Sequence, residues 1–173
     1  MKKFLILDRD EVLNIMPVEM KYITSPRDVQ LKKVNIEGLK NLQDLNLRII
    51  VASNQRGIGL GIMNTKDVDN VNNEINEQLS KFNLKVEKFF YCPHRILDNC
   101  SCRKPKPGLL YSAASEFKFN LADCIFIGDM PTDCFAGLGA GCRTILLSDQ
   151  NNELEFIENN RFLGAYSNIS LAS

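Results

Sequence analysis

The chain has 173 residues and a mass of 19.6 kDa, with 21 Lys and Arg balanced by 21 Asp and Glu. That length suits one domain around one core, since single domains usually run to about 100–200 residues. A 45% hydrophobic and 24% charged composition excludes a disordered or fibrous chain. The zero net charge removes the electrostatic footprint of a dedicated nucleic-acid-binding domain.

At the N-terminus two lysines precede only four apolar residues, Phe4–Leu7, before Asp8 interrupts. This is too short for the core of a signal peptide, and no segment reaches the ~20 apolar residues of a transmembrane helix. The expectation is a cytoplasmic, reducing environment. There, closely spaced members of the six cysteines act as metal ligands or core residues rather than disulfides.

Phe4–Leu7 reads as a buried strand ending in Asp8-Arg9-Asp10. If the extended geometry persists through Arg9, both carboxylates face the same side. There they can hold a divalent cation or divide the roles of nucleophile and acid; Asp-x-Asp is also common at turns and helix starts. Ile36, Leu39, Leu42 and Leu45 then mark a helix. The next strand, Arg48–Ala52, ends in Ser53-Asn54-Gln55-Arg56-Gly57-Ile58-Gly59. Its hydroxyl, amides and backbone N–H groups are the parts of an uncharged phosphate cradle, and the segment reads equally as a plain strand-terminating turn. Val68, Val71, Ile75, Leu79 and Phe82 form a second helical stripe, with Asn64 or Thr65 available as its N-cap.

The strand Val86–Tyr91 leads into Cys92-Pro93-His94 and, five residues later, Cys100-Ser101-Cys102. Cys92, His94, Cys100 and Cys102 make a complete tetrahedral zinc set that includes the only histidine of the chain, and four protein ligands imply a structural metal. Cys102–Gly108 places Arg103, Lys104 and Lys106 just before a helix, with Pro105 and Pro107 restricting the backbone that presents Lys104. A solvated basic turn is the competing account. Pro107 opens a helix that turns Leu109, Leu110, Ala113, Ala114 and Phe117 inward. The strand Asp123–Ile127 ends in Gly128-Asp129, with Asp133 four residues on, suited to a metal ligand and a supporting neighbour. A further strand spans Arg143–Leu147, and Cys124, Cys134 and Cys142 read as small core residues. Beyond about Asp149 there is no motif, only a possible final strand or packing segment.

Strands alternating with helices predict a doubly wound, mostly parallel α/β sheet, which binds ligands beyond the carboxyl ends of its strands. One domain is expected over residues 1–173, its motifs lying within about 3–147.

The four strand ends together resemble the haloacid dehalogenase (HAD)-like phosphohydrolase superfamily: Asp-x-Asp, a Ser strand end, a Lys and Gly-Asp-x-x-x-Asp, in that order from Asp8 to Asp133. The resemblance implies a catalytic set of Asp8, Asp10 and Lys104. Asp8 attacks phosphorus to form an aspartyl-phosphate, and Asp10 first protonates the leaving alcohol and then deprotonates water. Ser53, Asn54 and Gln55 bind the phosphoryl side, and Lys104 neutralises it. Asp8, Asp129 and the Asp10 carbonyl hold Mg²⁺, with Asp133 in support.

Cys-Pro-His followed by Cys-x-Cys-Arg-Lys-Pro, with Ser-Asn-Gln-x-Gly-Ile and Gly-Cys-Arg-Thr, is similar to one branch of that superfamily, the heptose 1,7-bisphosphate 7-phosphatases and their histidinol-phosphatase relatives. That branch implies a monomer without a separate cap domain, structural Zn²⁺ on the cysteine loop, substrate contact from Arg103, and a phosphorylated sugar as partner rather than nucleic acid or membrane. Histidinol phosphate is the alternative substrate, and a zinc-stabilised module that has lost turnover is the alternative of another class. Three departures bear on this. Glu11 stands where the branch usually has Gly, Met130 stands where it usually has Lys, and the loop between His94 and Cys100 is short. Arg56 is a candidate replacement charge or an exposed turn residue.

Overall fold

The computed structural model describes residues 3–17, 22–148 and 160–169. Strand β1 (Lys3–Leu7) is followed by α1 (Lys33–Asn41), β2 (Leu47–Asn54), α2 (Thr65–Ser80), β3 (Val86–Cys92) and α3 (Gly108–Phe117). β4 (Ile125–Gly128), α4 (Pro131–Gly139), β5 (Arg143–Leu147) and β6 (Phe162–Tyr166) complete it. The strands form one sheet in the order β3-β2-β1-β4-β5-β6, every pairing parallel. This is the expected doubly wound arrangement, with the possible final strand present as β6.

Alternation along the strands divides the core in two. Leu5, Leu7, Ile49, Val51, Ile127 and Ile145 face Ile36 and Leu39 of α1 and Val71, Ile75 and Leu79 of α2. Phe4, Ile6, Ile50, Ala52 and Phe126 face Leu109, Leu110 and Ala113 of α3 and Ala136 of α4. Strand order therefore runs outward from β1 in both directions. The reversal, where α/β sheets open a crevice, lies between β1 and β4.

Two helices end differently from their sequence patterns. α1 stops at Asn41, and Leu45 lies in a separate short turn, half exposed. Each three-residue step rotates a stripe by about 60° on a 3.6-residue helix, so a continuous helix would carry Leu45 to the far side from Ile36. Pro107 is the N-cap of α3 rather than its first residue. α2 begins as expected at Asn64, whose side chain accepts from the Asp67 N–H at 3.1 Å while Asp67 accepts from the Asn64 N–H at 2.8 Å. α4 has no sequence-level counterpart, because its buried face is built from Cys134, Ala136 and Gly137 and lacks a stripe of large residues. No helix among the described residues is long and apolar enough to cross a membrane.

One buried polar residue joins distant parts of the chain. Asn35, fully buried in α1, donates to the Val12 carbonyl at 2.8 Å and accepts from the Ile169 N–H at 3.1 Å. It thus pins the turn after β1 and the segment after β6 to one helix. Replacing Asn35 by Ala leaves both backbone groups unpaired in the interior. Each orphaned group costs about 1–3 kcal/mol, so the expected loss for the two is about 2–6 kcal/mol, read as a drop in midpoint on urea unfolding.

Candidate active site

Asp8 follows β1, Ser53 and Asn54 end β2, and Asp129 follows β4, so the sheet delivers these groups to one end. They open on a cavity of about 600 Å³ whose wall also carries Asp10, Arg103, Lys104 and Asp133. A larger apolar groove of about 1080 Å³ lies at the opposite end, against the strand starts at Lys3, Leu47, Ile125 and Arg143, and carries none of these groups.

Lys104 is the centre of the site. It is only 2% exposed, and its ammonium donates to the Ala52 carbonyl at 2.8 Å while pairing with Asp8 Oδ2 at 3.0 Å and Asp133 Oδ1 at 2.6 Å. Burial alone would favour the neutral amine, but the two carboxylates outweigh it and push the pKa above the ordinary lysine value. Asp133, itself buried, accepts the Met130 N–H on Oδ2 at 3.0 Å, so both of its oxygens are engaged. Gly128 makes room for this arrangement, since a Cβ there would overlap the Asp133 carboxylate.

Asp8 accepts the Arg9 N–H on Oδ1 at 2.7 Å. Asp8, Asp129 and Asp133 each offer a carboxylate oxygen within 4.8 Å of the others. Burial raises the Asp8 pKa to about 6; Lys104 opposes the rise, and Asp133 and Asp10 add to it. Burial, followed by the charges of Asp8 and Asp133, raises Asp129 to about 8. Three carboxylates thus share one ammonium, a charge imbalance that a divalent cation fits, and each Asp8 oxygen has a further lone pair beyond its contact with Arg9 or Lys104.

Asp10 lies near Asp8 on the cavity wall, although the chain bends at Arg9 rather than staying extended, and its carboxylate is already held. Arg9 donates to it twice and Gln55 once, each at 3.0 Å. Gln55 also donates to Ser53 Oγ at 3.0 Å and is 2% exposed. The Gln55 amide is thus engaged with Asp10, Ser53 and Arg9, and the residue is not among those lining the cavity. Asn54 lines the cavity and also grips the neighbouring lysine. Its side chain accepts the Lys104 N–H at 3.1 Å and donates to the Lys104 carbonyl at 3.2 Å, fixing the lysine's backbone. Ser53 and Arg103 line the cavity. Arg103 makes a 3.4 Å contact to the His94 carbonyl.

The departures are also explained. Glu11 adopts φ 59°, the left-handed conformation that favours glycine. The turn nevertheless forms, with the Glu11 N–H donating to the Asn14 carbonyl at 2.7 Å. The carboxylate accepts the Met16 N–H at 2.6 Å and pairs with Lys32 at 3.3 Å, so its charge is partnered. Met130 sits half exposed at the cavity edge. Arg56 donates twice to the Tyr22 hydroxyl, at 2.9 and 3.1 Å, and does not line the cavity.

Cys92, His94, Cys100 and Cys102 converge beside the site. Sulfur to sulfur distances are 3.6 Å for Cys92 to Cys100 and 3.5 Å for Cys102 to Cys100, and His94 Nδ1 lies 3.5 and 3.3 Å from Cys92 and Cys102. None of the six cysteines is in a disulfide. A tetrahedral zinc with bonds of about 2.3 Å sets its sulfur ligands about 3.8 Å apart, close to these edges. Cys124, Cys134 and Cys142 are buried core residues, as expected. Sequence reasoning missed Arg9 and its third partner Asn72, whose Oδ1 accepts from Arg9 Nη1 at 3.2 Å. The one available signal was position, an arginine between two strand-end acids and so directed away from the face they share.

Comparison with known proteins places this geometry. The HAD-hydrolase-like family model matches residues 101–162. The chain is 36% identical over 150 residues, 86% of its length and 85% of the relative's, to the D-glycero-β-D-manno-heptose-1,7-bisphosphate 7-phosphatase of Helicobacter pylori. It is 35% identical, over 89% and 87% of the two chains, to the α-anomer enzyme of Campylobacter jejuni. Among solved structures, the heptose bisphosphate phosphatase of B. bronchiseptica complexed with magnesium and phosphate superposes with a TM-score of 0.84 at 26% identity, covering 98% and 95% of the chains. With strand ends, lysine and cysteine loop all arranged on a doubly wound sheet, and identity sustained across most of both sequences, the chain belongs to the heptose-1,7-bisphosphate 7-phosphatase family of HAD-like hydrolases.

Proposed function

We propose that the protein is a magnesium-dependent phosphomonoesterase that removes the 7-phosphate of a D-glycero-D-manno-heptose 1,7-bisphosphate. It would act as a monomeric, single-domain cytoplasmic enzyme with a structural zinc. The observation that carries this reading is the buried Lys104, joined to Asp8 and Asp133 at the cavity where Asp10 and Asp129 also open. The family membership of the chain supports the substrate.

In this reading Asp8 attacks phosphorus, forming a bond from a carboxylate oxygen as the bond to the sugar oxygen breaks. Asp10 gives its proton to that leaving oxygen. It then takes a proton from water, whose oxygen attacks phosphorus and releases Asp8 with inorganic phosphate. Lys104 faces the transferring phosphoryl group while remaining anchored on Ala52 and Asp133, Ser53 donates its hydroxyl, and Arg103 meets the more distant charge of the substrate. Mg²⁺, held by Asp8, Asp129 and the Asp10 carbonyl, would cancel charge on the phosphoryl oxygens. The paired carboxylate of Glu11 speaks against a module disabled by that residue.

Three outcomes test the proposal. Phosphate release should be fastest from one of the α- and β-heptose 1,7-bisphosphates and slower from histidinol phosphate, with Asp8→Asn at least about 10³-fold down; faster histidinol phosphate turnover would reassign the substrate. Mg²⁺ binding requires Asp8 and Asp129 deprotonated, and in the metal-free protein they hold protons below about pH 6 and 8 respectively. The apparent Mg²⁺ affinity should therefore weaken as pH falls through this window, and Asp129→Asn should abolish most of the affinity. Metal analysis should find one zinc per chain, and Cys102→Ser should lower both zinc content and melting temperature. A metal-free native protein of unchanged stability would remove the zinc.

A further inference from the structure

Arg9 is a buried arginine for which the proposed reaction has no direct use. It is 1% exposed, lies between the two acids of the first strand end and points away from the phosphate side. Four of its contacts are set. Nε meets Asp10 Oδ1 at 3.0 Å, Nη2 meets Asp10 Oδ2 and Gln55 Oε1 at 3.0 Å each, and Nη1 meets Asn72 Oδ1 at 3.2 Å. The Gln55 amide closes the ring by donating to the same Asp10 Oδ2.

The planar guanidinium fork matches a carboxylate at two points, which a point charge such as Lys cannot do. Among the described residues, Asp10 is the single carboxylate that Arg9 touches. If Asp10 swung out of the fork, a buried cation would lose its counter-ion, so the pair resists rotation of the carboxylate. Three hydrogen bonds hold the two Asp10 oxygens from behind, while the side chain stays 25% exposed toward the cavity. A carboxylate can accept about four hydrogen bonds, which leaves one outward site for the proton that catalysis moves.

We infer that Arg9 is a positioning residue for the acid/base step: the Arg9–Gln55–Asn72 cage fixes the orientation of Asp10 and ties it to α2, which bears no other part of the site. This deepens the proposed function and rests on Asp10 serving as acid and base. The cage touches neither the phosphoryl group nor the cation, so its loss should slow turnover without weakening substrate binding.

The test compares Arg9→Lys and Asn72→Ala with wild type in a phosphate-release assay on heptose 1,7-bisphosphate, with melting temperatures measured alongside. Arg9→Lys keeps the charge and loses the fork, and kcat should fall about 10- to 100-fold with KM within about twofold. Asn72→Ala, distant from the chemistry, should lower kcat by a smaller factor with KM again unchanged, and it serves as the test should Arg9→Lys not fold. Full kcat in a folded variant, or a KM rise that accounts for the loss, would overturn the inference. Asp10→Asn separates the two claims. If it is as active as wild type, the acid/base reading itself fails. If Asp10→Asn is inactive while the cage variants turn over normally, only the cage is refuted.

Discussion

A buried ammonium that must find partners for its protons organises this molecule. Lys104 is almost wholly buried at the base of the cavity, and leaving such a charge unpaired costs about 3–5 kcal/mol. Its partners come from three separate elements: Asp8 beyond β1, the Ala52 carbonyl in β2 and Asp133 in α4. The lysine therefore acts as a bolt through the strand ends. The carboxylates that would otherwise repel one another are held close by it, and the residual negative charge suits a divalent cation. Gly128 belongs to the same arrangement, because the Asp133 carboxylate occupies the space a side chain there would need.

The lysine's own backbone depends on the cysteine loop. Cys102 lies two residues before it, Asn54 grips its peptide from β2, and Lys106 reaches back to the Asn99 and Cys100 carbonyls at 3.2 and 2.9 Å. This loop carries few large core residues: Ile96 is exposed and Leu97 is 91% exposed. Cys92, His94, Cys100 and Cys102 converge there instead, and in the proposed reading a metal on these four ligands would replace apolar contacts and limit where Lys104 and Arg103 can be.

The parts legible in sequence were those governed by short-range rules. Apolar runs such as Phe4–Leu7 located strands, the Val68-to-Leu79 stripe located α2, and the polar residue after each run located the cavity, because a parallel sheet sends all its strand ends to one side. The convergence of the cysteines and histidine was legible because these scarce residue types recur at short intervals in one segment. What escaped depended on partners far along the chain. Arg9 meets residues 46 and 63 positions away, and the amides of Gln55 and Asn54 have partners that no local pattern announces. α4 escaped for another reason: packed closely on the sheet, it uses small residues where a pattern search looks for large ones. Glu11 shows a local rule overridden, with Lys32 and the Met16 N–H stabilising a side chain in a glycine conformation.

The strand order also carries a temporal meaning. β1 precedes the other described strands in the chain, yet it lies in the middle of the sheet between β2 and β4, so its edge waits for a partner that begins at Ile125. A nascent chain emerges from its N-terminus, and Asp8 is released from the ribosome long before Lys104, Asp129 or Asp133. A product that stops short of Asp133 cannot assemble the charge cluster, and phosphoryl chemistry becomes available only when that residue has joined the first strand end.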